Sequence, residues 1–133
     1  MQKTAVLILV LGVFLYPGCK KNNDAFLPEL LGNWELREVH GGFTGSVYYS
    51  APGNGIIYKF SRYNVYEFGG PGIPSKKGTF KIIKEYVANY DKPLYRIIFD
   101  NEDIQSYLSI ENDKLDLSMI VVDGGTSVYQ KIQ

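Results

Sequence analysis

One cysteine, Cys19, and one histidine, His40, are all that 133 residues contain of either type. A lone cysteine forms no intrachain disulfide and no cysteine-based zinc centre, and a lone histidine builds no multi-histidine metal site. An excess of one charge is also missing, because 14 Lys and Arg balance 14 Asp and Glu. A neutral chain offers no electrostatic footprint to nucleic acid, so no nucleic-acid partner is expected. The longest apolar run, 5–16, falls well short of the ~20 residues of a membrane-spanning helix. No Gly-x-Ser-x-Gly nucleophile elbow accompanies the histidine, and the expectation is a protein that is not an enzyme and carries no cofactor. What remains for stability is packing, for which 11 Tyr, 7 Phe and 1 Trp supply the apolar area.

The N-terminus combines Lys3, the apolar block 5–16 and the dipeptide Pro17-Gly18 ahead of Cys19, the pattern of a cleavable export signal. It resembles the lipobox of Gram-negative lipoproteins, with Gly18 in the small position before the cysteine and Leu15 close by. Tyr16 and Pro17 stand where aliphatic and small residues are usual. The resemblance implies cleavage before Cys19, acylation of that residue and attachment to a lipid bilayer. Each buried methylene contributes about 0.8 kcal/mol, so two or three acyl chains hold nearly permanently where one holds marginally. The competing reading is a secreted protein with a free thiol, a liability in an oxidising compartment. The chain then divides into a lipoprotein signal peptide (1–18), a polar tether (19–25) and one domain (26–133) large enough for a modest core. The cell envelope is the expected location. Lys20-Lys21 after the cysteine, in place of an acidic run, favours the periplasm-facing side of the outer membrane over surface exposure.

Downstream of a short turn at 26–31, where Pro28 suits an early helical position and Gly32 a stop, short aromatic and β-branched segments alternate with Gly, Pro, Asn and Asp. The pattern predicts an all-β domain with strands at 33–40, 55–61, 65–69, 78–84, 94–99, 105–111, 114–121 and 126–132. Two turns follow from their chemistry. Arg62-Tyr63-Asn64 suits a three-residue hairpin loop with Asn64 left-handed, which pairs Phe60 with Tyr66 and Tyr58 with Phe68. Asn112-Asp113 suits a two-residue primed turn that pairs Ile110 with Leu115 and Leu108 with Leu117. Both registers gather large apolar groups onto one face, and a slip of one residue would scatter them.

Eight strands with hairpin-length links predict an eight-stranded up-and-down antiparallel β-barrel, because closure removes the exposed edges of an open sheet. Trp34, Leu36, Tyr58, Phe60, Tyr66, Phe68, Phe80, Ile82, Leu108, Ile110, Leu115 and Leu117 point inward. In such a meander the loops 41–54, 70–77, 100–104 and 122–125 share one end, the mouth. The 26–31 turn and the links after Ser61, Lys84 and Glu111 share the other, the floor, where the tether enters.

Leu31-Gly32-Asn33-Trp34-Glu35-Leu36, with Gly-x-Trp opening the first strand, resembles the start of lipocalin and lipocalin-like domains. Tyr58-Lys59-Phe60 leading to Tyr66, Gly78-Thr79-Phe80 and the closing Gly124-Gly125-Thr126-Ser127-Val128-Tyr129 are similar to lipocalin-like bacterial lipoproteins over nearly the whole mature chain. The resemblance implies that Trp34 packs across the barrel floor. Lys131 stands where true lipocalins place an arginine over that tryptophan, and no Thr-Asp-Tyr-type turn motif is present.

Two functions stay open at this stage. One is a tethered binding protein for a small apolar or amphipathic molecule, with Tyr58, Phe60, Tyr66 and Phe80 as cavity walls and Phe43, Tyr48 and Tyr49 at the entrance; it requires an open cavity of a few hundred cubic ångströms. The other is a structural or interaction module of the envelope with a solid interior and an aromatic patch that meets another envelope protein or a glycan. Phe43, Tyr48 and Tyr49 serve as a lid in the first case or fold back to cap the core. His40 reads as a solvated loop residue. Asp100, Glu102 and Asp103 offer oxygens for calcium but lack the spacing of a calcium loop, which leaves a solvated turn as the plainer reading. Gly69-Gly70-Pro71-Gly72 reads as a turn, since no helix follows to supply amide donors to a phosphate.

Overall fold

Ten strands dominate the computed structural model, which describes residues 24–102 and 104–132. The expected signal peptide, Cys19, most of the expected tether and Asp103 lie outside the described residues. In chain order the strands are β1 (Asp24–Ala25), β2 (Gly32–His40), β3 (Val47–Tyr49), β4 (Ile57–Ser61), β5 (Val65–Gly70), β6 (Ile73–Glu85), β7 (Leu94–Phe99), β8 (Gln105–Glu111), β9 (Lys114–Met119) and β10 (Thr126–Ile132). Eight of them close a ring, β2-β4-β5-β6-β7-β8-β9-β10, with every neighbour antiparallel and β10 returning to β2. The expected eight-stranded up-and-down barrel is therefore the fold. The remaining two strands are additions to the ring: β1 lies against β6 and β3 against β2.

Both turns predicted from their chemistry hold their register. Phe60 faces Tyr66 and Tyr58 faces Phe68 across the β4–β5 hairpin, and Ile110 faces Leu115 and Leu108 faces Leu117 across β8–β9. Asn112 (φ 51°) and Asp113 (φ 59°) are both left-handed, as a primed turn demands. In the other loop Asn64 (φ 57°) is left-handed as expected, but so is Tyr63 (φ 65°). A bulky aromatic residue in that region costs about 1–2 kcal/mol, and Tyr63 is 95% exposed, so no burial repays the strain.

Three segments differ from the sequence reading. The expected mouth loop 70–77 is instead a turn at Pro71-Gly72 followed directly by strand, so that β6 begins at Ile73 and runs thirteen residues. Pro74 hid this strand. It sits where the register shifts between Phe68 and Gly70, a bulge in which a missing N–H breaks no ladder bond. The expected loop 41–54 contains β3, which extends the wall beyond the end of β4 by pairing Tyr48 with Val39 and Tyr49 with Glu38. At the other end, Asp24 and Ala25, the last two residues of the expected tether, pair with Ile83 and Ile82 as β1.

The floor half of the interior is closely packed, apart from an open hollow of about 220 Å³ beside Leu27, Tyr95, Leu108 and Ile110. Leu30, Trp34, Phe60, Ile97 and Leu115 are almost fully buried there and in the adjoining middle of the barrel. Removing each such side chain from water contributes roughly 1.5–3 kcal/mol. The 3-10 turn Pro28–Leu30 closes the opening, with Pro28 in its first position as read from the sequence. Trp34 Nε1 donates to the Leu30 carbonyl at 2.7 Å, which ties the wall to this plug. Lys131 covers the indole, its Nζ 5.1 Å from the ring and donating to the Glu29 carbonyl at 2.8 Å. A lysine thus occupies the place that the sequence comparison assigned to it.

Candidate functional site

Toward the mouth the packing opens. Strand alternation aims Tyr58 of β4, Phe99 of β7, Leu117 of β9 and Tyr129 of β10 at the barrel axis. Tyr58 is the hub of the aromatic cluster, with ring centroids 4.3 Å from Phe68, 5.4 Å from Phe60 and Tyr129, and 5.6 Å from Phe99. Above these rings lies an open recess of about 210 Å³, lined by Tyr58, Phe99, Glu102, Ile104, Ser106, Leu117, Met119, Ser127 and Tyr129. Its base is aromatic and aliphatic, and its rim carries one carboxylate and two hydroxyls. A larger hollow of about 350 Å³ lies at the outer face of the floor turn, beside Ser109, Glu111, Asn112, Lys114 and Asp116, all of them polar or charged residues.

A charged network stands beside the recess. The Tyr66 hydroxyl donates to Asp100 Oδ2 at 2.7 Å, and the Thr79 amide donates to Asp100 Oδ1 at 2.8 Å. Lys76 Nζ bridges Asp100 at 3.3 Å and Glu102 at 3.1 Å. These donors, Tyr66 first, hold the Asp100 carboxyl below its ordinary value, and its two carboxylate neighbours together with Tyr66 hold Lys76 protonated well above the usual lysine range. Burial, then the Asp100 contact, raises the Tyr66 phenol. Burial also pushes Tyr58 up to about 12 and raises Tyr129, so both phenols are neutral at physiological pH. Gly78 makes room for the network, since a Cβ there would meet Asp100 Oδ1 at 1.9 Å. The carboxylates considered for calcium, Asp100 and Glu102, are thus committed to protein donors. Among the described residues no group of three or more potential metal ligands occurs.

Behind the mouth, Glu35 is only 4% exposed, although strand alternation turns it away from the axis. The turn Pro52-Gly53-Asn54-Gly55 folds over it. Gly53 (φ 82°) and Gly55 (φ 75°) adopt backbone angles that suit glycine, and their amides each donate to a Glu35 oxygen at 3.0 Å. Those two amides, with Arg37 third, lower the Glu35 carboxyl to about 2. The sequence carried a signal for this in its Gly-x-Gly turn, but nothing that names the acceptor.

The residues singled out from the sequence divide into three places. Tyr58 reaches the recess. Phe60, Tyr66 and Phe80 lie beneath it or beside it in the packed interior, where they support the cluster without facing open space. Phe43, Tyr48 and Tyr49 stand out at the mouth, Phe43 at 87% exposure, neither capping the core nor lying against it. Tyr48, opposite Val39, shares the inward-facing side of the wall and rises at the rim. Recess residues that sequence reasoning left out are Phe99, Ile104, Ser106, Met119, Ser127 and Tyr129. His40 is a surface residue whose Nε2 lies 2.8 Å from Glu38 Oε2.

All exposed large apolar residues among those described lie at the two ends of the barrel. The mouth end has Phe43, Val47, Tyr48, Tyr49, Ile104 and 119–122, and the floor end has Phe26, Tyr63, Tyr86, Val87 and Tyr90. Residues 41–58 contain no charged side chain, so the loop that carries the mouth aromatics is neutral throughout. Comparison with protein-family models, curated proteins and solved structures yields no significant match. The closed ring of eight antiparallel strands is compatible with the lipocalin-like architecture suggested by the Gly-x-Trp opening.

Proposed function

We propose that this protein is a non-enzymatic, lipid-anchored binding module of the cell envelope that holds the apolar end of a small amphipathic molecule in its mouth. The open recess over Tyr58, Phe99 and Tyr129 carries the reading. At about 210 Å³ it is smaller than the ~300–1,000 Å³ typical of sites that engulf a drug-sized ligand, so part of the ligand stays outside. Such a ligand rests its apolar end on the rings and leaves its polar end beside Glu102, Ser106, Ser127 and the Lys76 ammonium. The anchor is the acyl group on Cys19, and Cys19→Ala is expected to release the protein from the membrane fraction. Unchanged membrane association would remove the anchor from this account.

Native mass spectrometry of the protein purified from its own host tests carriage. A co-purifying small molecule that is lost in Ser127→Phe, a substitution that fills the recess, supports the proposal. An empty wild-type protein argues against it. The neutral, exposed rim of Phe43, Val47, Tyr48 and Tyr49 favours a second reading, in which the mouth meets an envelope protein and the recess receives one of its apolar side chains. Co-purification of a protein, lost in Tyr48→Ser with Tyr49→Ser but kept in Ser127→Phe, would select that reading.

A further inference from the structure

The floor presents an exposed surface that neither the ring of strands nor the mouth requires. Tyr63 is 95% exposed, Tyr86 77%, Tyr90 63% and Phe26 60%, on three separate segments. They share one sector of the floor. Tyr63 sits in the β4–β5 turn, which contacts β6, Tyr86 and Tyr90 sit in the β6–β7 link, and Phe26 follows β1, which pairs with β6. The opposite sector, the β8–β9 turn with Glu111, Asn112, Asp113 and Lys114, is polar. We infer that the aromatic sector of the floor docks on the lipid–water interface of the bilayer, so that the anchored barrel stands in a fixed, tilted pose with its mouth pointing away from the membrane.

Tyrosine is the residue expected at that depth, since its ring partitions among headgroups while its hydroxyl stays hydrated. Three of the four exposed rings are tyrosines. Lys84 places a cation 5.3 Å from the centroid of the Tyr86 ring, at the level where lipid phosphates would lie. Tyr63 keeps a strained left-handed backbone to hold its ring out in water, between Arg62 and Asn64, where glycine or asparagine would sit more comfortably.

Chain length supplies the independent argument, and here the inference rests on the proposed anchor at Cys19. Five residues lead from Cys19 to Asp24, which is fixed opposite Ile83 near the floor. Fully extended, they reach about 17 Å at ~3.4 Å each. The nine residues of β2, at ~3.3 Å each and tilted by about 40°, give a wall of about 23 Å. The tether is therefore too short to turn the mouth toward the bilayer, and the floor is the end held at the interface. Neutral lipids suffice for this contact, since the floor segments balance Arg62, Lys84, Lys92 and Lys114 with Glu85, Asp91, Glu111 and Asp113.

Hydrogen exchange on the mature acylated protein, reconstituted in phosphatidylcholine vesicles, tests the inference, with intact mass confirming the acyl group on Cys19. Amides of 61–64 and 85–92 are expected to exchange several-fold more slowly than in soluble Cys19→Ala protein, and those of 41–50 and 120–125 at an unchanged rate. Combining Tyr63→Ser, Tyr86→Ser and Tyr90→Ser should abolish the floor protection while leaving acylation and the circular dichroism spectrum intact. An acylated protein with no floor protection, or with protection that survives the triple substitution, overturns the docking inference and leaves the anchor standing. A mass without an acyl group overturns the anchor and the inference together.

Discussion

Trp34 and Tyr58 face each other across β2 and β4, one strand apart and on the same inner surface, yet they belong to different environments. Trp34 is fully buried, its one polar hydrogen is taken by the Leu30 carbonyl, and Lys131 covers its open face. Tyr58 is surrounded by rings but borders the recess, in a site where burial has already made its phenol hard to ionise. The difference shows how one barrel divides its labour. The floor half spends its aromatic area on stability, and the mouth half leaves some of it facing open space.

Substitutions at the two positions should separate these roles most sharply. Trp34→Ala is expected to lower the unfolding free energy by about 3–5 kcal/mol, measured by urea denaturation, because it leaves a large cavity beneath the plug. A loss below about 1 kcal/mol would mean that the floor is not the stabilising half. Gly78→Ala should cost about 1–3 kcal/mol, because its Cβ would displace Asp100 from both Tyr66 and Thr79. If the variant unfolds at the wild-type urea midpoint, the charged network at the mouth contributes nothing to stability.

Tyr63→Asn tests the floor from the other direction. Asparagine tolerates the left-handed backbone, so this variant should be more stable than wild type by up to about 1 kcal/mol. A decrease would show that the tyrosine ring stabilises the fold in a way its exposure does not suggest. Glu35→Gln should matter mainly in acid. The folded carboxyl is lowered to about 2, below its unfolded value, so the carboxylate stabilises the protein above about pH 4.5 and that contribution is lost between there and about pH 2. Wild-type stability should fall through this window more steeply than that of Glu35→Gln, and parallel curves would remove the ion from the account. Smallest of all is Tyr58→Phe, expected within about 0.5 kcal/mol of wild type, since it deletes only a hydroxyl at the recess.

The same division decides what could be read from the sequence. Floor and wall were legible because their determinants are local. Asn64 and Asn112-Asp113 fix two turns, period-2 alternation of rings and aliphatics then fixes the register, and Gly-x-Trp marks the first strand. The recess was not legible, because it is assembled from β4, β7, β8, β9 and β10, and which inward residues stop short of filling the axis depends on barrel geometry. Phe60, Tyr66 and Phe80 look like cavity walls in an alternation pattern, and only their neighbours across the axis show that they are packed. Glu35 illustrates the same limit. Alternation points it outward, and a turn eighteen residues later in the chain turns that outward position into a buried one.

Pairing β10 with β2 also sets the order in which this chain can mature. Trp34 pairs with Lys131 and Leu36 with Tyr129, so the ring cannot shut before β10 is in place. Contacts so distant along the chain form slowly. Until β10 arrives, β2 is held on one side only, by β3 and β4, and the seam that closes the cylinder stays open.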